Sequence, residues 1–234
     1  MKPLNRAAVS LFALLILAGC ASTEVTERQG YEGEKLARPD RIIVHDFTAN
    51  PAEVPPESPF AARLAGAVPP TPEQRELGRK LGAQIAEDLV ADLQSMGLPA
   101  VRAEGQPAPQ IDDIVLRGYF VSVEEGSAGK RVLVGFGAGA AEMRAAVEGY
   151  QATAAGLRLL GSGEVSSEGG GLPGVAVPLA VLAATANPIG LVVGGTAKLY
   201  GEGSGSDTIE GAAKRTADEI AAQLRTTAEE QGWI

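Results

Sequence analysis

The sequence predicts an α/β (α+β) domain, a mixed β-sheet of about five strands with two main amphipathic helices packed on it and short apolar helices near 172–200. Three observations carry this. Arg41–Phe47 (RIIVHDF) and Asp113–Val123 (DIVLRGYFVSV) are dense in β-branched and aromatic residues. From Leu77 to Leu93 an apolar residue recurs every four positions, the period of a helix face. Two well-capped helical segments stand apart from the strand-like ones, near the middle of the chain and at its end.

Lys2 and Arg6 precede an almost wholly apolar run, Ala7 to Ala18, too short for a membrane span of about 20 residues. It reads as the apolar region of a signal peptide, residues 1–19. The run closes on Leu17-Ala18-Gly19-Cys20, which matches the bacterial lipobox, and Cys20 is the only cysteine of the chain. In lipoproteins of this type the cysteine is acylated and becomes the new N-terminus. Ala21 rather than Asp follows it, which by the sorting rule of diderm bacteria permits export to the outer membrane. Residues 20–38 are polar and without hydrophobic period, and read as a flexible tether. Residues 39–234 then form a single periplasmic domain.

Within that domain Arg41–Phe47 reads as a central strand. Residues 50 to 70 hold six prolines and read as a long loop. Thr71 caps the first helix, with Pro72 at its first position and Gln74 closing a capping box. Leu77, Leu81, Ile85, Leu89 and Leu93 form its stripe, and Gly97 with Pro99 ends it. Pro99–Arg102 is a short strand. In 113–123, Ile114, Leu116 and Phe120 share one face, and Val115, Tyr119, Val121 and Val123 the other. Residues 141–153 and 157–167 read as a hairpin turning at Ala154-Ala155-Gly156. Met143, Ala145 and Val147 alternate there with Arg144, Ala146 and Glu148. Asp207 caps the last helix, to about Glu230, with Glu210 closing its box and Ile209, Ala213, Ile220 and Leu224 as its stripe.

Composition excludes several function classes. One Cys and one His leave no Cys/His metal site and no disulfide framework. A formal charge of −9 and 4% aromatics oppose nucleic-acid binding. Loss of Lys2 and Arg6 on processing takes the side-chain charge to −11, two cations fewer. No cofactor or metal is expected. Gly135-Phe136-Gly137-Ala138-Gly139 resembles a phosphate-cradling loop, yet Ala140-Ala141-Glu142 follows where a P-loop needs Lys-Ser/Thr. Its glycines read as a tight backbone path and a candidate interaction loop. His45 beside Asp46 reads as structural, since strand neighbours face opposite ways. Glu124 and Glu125 read as a solvated turn rather than paired catalytic acids. Gly169 to Ala197 carries no charged residue, but Pro173, Pro178 and Pro188 interrupt it. Three readings stand: short helices on the sheet, an apolar surface for a partner or for oligomerisation, or a membrane-inserting hairpin.

The lipobox, RIIVHDF, LRGYFVSVEEG, RVLVGFGAGAAEMRAAVE and the tail from KLYGEGSGSD to GWI together resemble the bacterial lipoproteins defined as domain of unknown function 4410. The resemblance covers essentially the whole chain after the signal peptide. It implies a place and a fold, and no activity. The element order is also similar, at fold level only, to periplasmic domains of transport-auxiliary and curli-secretion-type lipoproteins. The expected function is that of a non-enzymatic outer-membrane lipoprotein facing the periplasm. It would be an accessory or scaffold component of a cell-envelope system, with a protein partner or a homo-oligomer. The alternative is a subunit of a lipoprotein secretion pore or a transport-auxiliary lipoprotein.

Overall fold

The computed structural model describes residues 22–31, 33–65, 69–124, 141–168, 191–192 and 208–234. The strands are β1 (Ser22–Gln29), β2 (Ile42–Val44), β3 (Ala100–Arg102), β4 (Ile114–Glu124), β5 (Glu142–Thr153), β6 (Gly156–Glu168) and β7 (Leu191–Val192). The helices are a single turn α1 (Ala61–Leu64) and the long α2 (Pro72–Ser95) and α3 (Ile209–Gln231), with a 3-10 turn at Pro51–Glu53. The expected α/β class is borne out, with a mixed sheet of seven strands among the described residues.

The sheet runs β1-β6-β5-β4-β2-β3, and β7 joins β4 beyond β2. β4, β5, β6 and β1 each run antiparallel to the next, whereas β2 is parallel to both β3 and β4. The crossover from β2 to β3 is α2, the long connection that parallel neighbours require. The β5–β6 hairpin turns at Ala154-Ala155, where Gly156 takes φ 118°. Thr153 Oγ1 accepts from the Ala155 amide at 3.2 Å and donates to the Gly156 carbonyl at 2.8 Å.

Both long helices lie on one face of the sheet. Leu81, Ile85, Leu89 and Leu93 of α2 and Ala213, Ala217 and Ile220 of α3 bury against Val44, Leu116, Phe120, Met143, Ala145 and Val165. The small residues of α3 let it approach closely, and Lys80 of α2 reaches Glu210 of α3 at 3.0 Å. On the other face the 50–65 loop lays Phe60 and Leu64 over Tyr119, Val121 and Ala146.

Five expectations are corrected. Residues 22–29 are not tether but an edge strand, with Ser22 opposite Glu168 and Val25 opposite Val165. Val25 is its only inward apolar residue, so no period shows in the sequence, and backbone hydrogen bonds carry the pairing. Leu36 and Arg38, later in that stretch, are docked as well: Trp233 Nε1 donates to the Leu36 carbonyl at 3.0 Å, and Arg38 to the Gly97 carbonyl at 2.6 Å. The proline-rich loop contains two short helical turns, one capped by Asn50. The cap of α3 is Thr208 rather than Asp207, its side chain accepting from the Gly211 amide. Val123 lies on the helix face with Phe120, because a register shift between Phe120 and Ser122 reverses the alternation. Leu191 and Val192, inside the segment expected to be helical, form a strand.

Candidate functional site

Leu17, Ala18, Gly19 and Cys20 lie outside the described residues, as do Gly135, Phe136, Gly137 and Gly139 and all of 172–200 except Leu191 and Val192. Their flanks are nevertheless placed together. One row across the sheet pairs Ser22 with Glu168, Glu168 with Glu142, and Glu142 with Glu124, which pairs in turn with Val192. The chain before Ser22, the 125–140 stretch and the 169–190 stretch therefore all leave from the same end of the sheet. Asp46, as expected, does not pair with its neighbour His45 and instead takes two hydrogen bonds from Arg102, at 2.5 and 2.6 Å. Burial, then Arg117, lowers the His45 pKa, with Asp46 opposing.

The face away from the long helices carries polar groups that sequence reading missed. Glu148 is fully buried and accepts hydrogen bonds from Ser58, from Tyr119 at 3.0 Å and from Tyr150 at 2.7 Å. Burial first, then Glu148, pushes the Tyr119 phenol above its usual range, and Tyr150 rises for the same reasons, so both stay donors. Glu164, 1% exposed, takes a hydrogen bond from Arg63 at 2.5 Å. Arg144 stands 2.5 Å from its other oxygen, an ion pair outside hydrogen-bond geometry. Ser58 and Arg63 come from the 50–65 loop, so both carboxylates hold that loop to the sheet. The signal was the alternation Arg144, Ala146, Glu148, Tyr150, which puts a carboxylate on a face that looked solvated.

A groove of about 770 Å³ opens on another side of the molecule, at the carboxyl ends of the parallel strands β2 and β3. The β2 exit supplies Asp46 and Asn50, the β3 exit Arg102 and Glu104, and the first turns of α2 Arg75 and Arg79. Two glycines bring α2 this close. A Cβ on Gly82 would stand 1.9 Å from the Phe47 carbonyl oxygen, and one on Gly78 would stand 2.8 Å from the Ala49 Cβ. The Phe47 ring lies in turn against Gly118 of β4. Glu53 is engaged by Thr48 at 2.6 Å and Asn50 at 3.0 Å. Among the described residues no group of three or more His, Cys, Asp or Glu is arranged to hold a metal, and no helix is long and apolar enough to cross a membrane.

The family model for the domain of unknown function DUF4410 matches residues 42–186, from β2 through β6 and beyond. The chain belongs to the DUF4410 family. Within this DUF4410 chain the match takes in the groove, the buried carboxylates and the 135–139 stretch. Among solved structures, the PelC dodecamer from Paraburkholderia phytofirmans is 13% identical over 85% of this chain and 94% of that one, with a TM-score of 0.40. A variant PelC dodecamer from the same organism is 17% identical over 66% and 85%, with a TM-score of 0.36. No curated protein matches the chain.

Proposed function

We propose that this DUF4410 chain is a lipid-anchored, periplasm-facing lipoprotein of the outer membrane. It serves a cell-envelope system as a non-enzymatic accessory or scaffold component, engaging a protein partner or further copies of itself. The observation that carries this is Leu17-Ala18-Gly19-Cys20, where the only cysteine of the chain closes a short apolar run preceded by Lys2 and Arg6. Two or three acyl chains give a stable anchor, since each buried CH2 contributes about 0.8 kcal/mol. The scaffold reading draws support from the second sheet face, where Glu148 and Glu164 are occupied in fastening a loop.

The test is metabolic labelling with a palmitate analogue in a diderm host, followed by membrane fractionation. Wild type takes up label and sediments with outer membrane; Cys20→Ser does neither. Label retained in Cys20→Ser, or wild type that carries none, overturns the anchor. Crosslinking in intact cells then reads the role. A single different protein joined to the chain supports the accessory reading. A self-ladder supports a homo-oligomer and, with the uncharged residues 169–197, the alternative of a secretion-pore subunit.

A further inference from the structure

We propose that the groove at the carboxyl ends of β2 and β3 is a binding site for a small, hydroxylated ligand bearing a carboxylate or phosphate, with Arg75 and Arg79 as its anion grip. The site is independent of lipidation at Cys20. Its position is the first argument. In sheets with parallel strands, ligands lie in the crevice outside the carboxyl ends, where loops from successive strands converge. Here the loops after β2 and β3 meet the start of α2, and the volume, about 770 Å³, is that of a small-molecule site.

The charges of the groove are the second argument. Asp46 is committed to Arg102, and Glu53 to Thr48 and Asn50. The Arg79 side chain has no hydrogen-bond or ion-pair partner among the described residues, and the Arg75 guanidinium acts only through its field on nearby Glu73. Both are exposed and stand one turn apart on a single face of α2. Like charges at that spacing repel, and the opening turns of a helix favour acids over arginines. Glu73 and Glu76 in the same turns offset part of that repulsion, and an oxyanion held between the two guanidinium groups would offset the rest. Arginine forks match carboxylate and phosphate oxygens bidentately. Arg102, whose guanidinium holds Asp46, lines the groove beside Arg75 and Arg79. Glu104, exposed at the rim, offers an acceptor to a ligand hydroxyl.

Calorimetric titration of the full chain in detergent with citrate and with glucose 6-phosphate tests this, with glucose as the uncharged control. Saturable binding of either anion and none of glucose is expected, and the tighter of the two tells carboxylate from phosphate. The double variant Arg75→Gln with Arg79→Gln keeps helix propensity and should lose roughly tenfold or more in affinity. Arg225→Ala, exposed on α3, should leave binding unchanged. Circular dichroism of the double variant confirms its fold. Absence of saturable binding to both anions, or equal weakening by Arg225→Ala and by the groove variant, overturns the proposal.

Discussion

Glu148 is fully buried, so each of its donors matters. Tyr119→Phe leaves the buried carboxylate one hydrogen bond short while keeping the ring that packs with Phe60 and Leu64. A hydrogen bond to a charged group contributes about 1.5–3 kcal/mol, so Tyr119→Phe and Tyr150→Phe should each lower unfolding free energy by about that much in urea titrations. An unchanged midpoint in both would mean the carboxylate finds other donors. His45 gives a pH dependence of definite sign. Its folded pKa lies below the ordinary value of 6.5, so the unfolded chain binds the proton first. The stability tied to neutral His45 is therefore fully present above that value and is lost as pH falls below it towards the folded pKa. Replacing His45 with Gln should shrink the drop in denaturation midpoint between about pH 7.5 and about pH 5.5. These residue-scale roles were partly legible: Arg144, Ala146 and Glu148 were placed on one face, but nothing local says that a loop ninety positions away in sequence, at Ser58, covers that face.

At the scale of elements, two glycines of α2 act against the helix's own preference. Alanine in place of Gly82 gains about 1 kcal/mol of helix propensity, yet its Cβ would meet the Phe47 carbonyl at 1.9 Å. Overpacking of this kind costs about 1–3 kcal/mol, so Gly82→Ala should be destabilising on balance by thermal melting. A rise in Tm would show that α2 can lift off the β2 exit. The start of α2 was readable because its capping box is local: Thr71 accepts from Gln74 and the Gln74 side chain returns to the Thr71 amide. The hairpin was readable because alternation and Gly156 agreed. The start of α3 was misplaced by one residue because Asp207 and Thr208 are both residue types that cap well. β1 was invisible because an edge strand with one face in solvent needs no apolar run, only a neighbour with free backbone groups. The groove was legible only in parts. Arg75 and Arg79 stand in the sequence, but their meeting with the β2 and β3 exits is a product of the parallel crossover.

For the whole molecule, the C-terminal end of α3 is fastened to the segment between β1 and β2. Leu36 is held twice, by its carbonyl to Trp233 and by its amide to Gln231 at 2.7 Å. Trp233→Phe keeps most of the packing and deletes the indole donor. It should cost about 1 kcal/mol and raise hydrogen exchange in residues 33–38 more than in β4 or β5. Uniform change across the chain would mean the tie stabilises the whole domain rather than this segment. The same fastening gives β1 a mechanical meaning. Cys20 precedes β1 by two residues, and an extended chain reaches at most about 3.3–3.6 Å per residue. An acylated Cys20 would leave only about 7 Å of slack between bilayer and sheet. The β1–β6 hydrogen bonds run perpendicular to the strands, so a pull along β1 loads them together, in shear, instead of opening them one by one. A domain moored in this way would resist extraction forces and transmit them directly into its sheet.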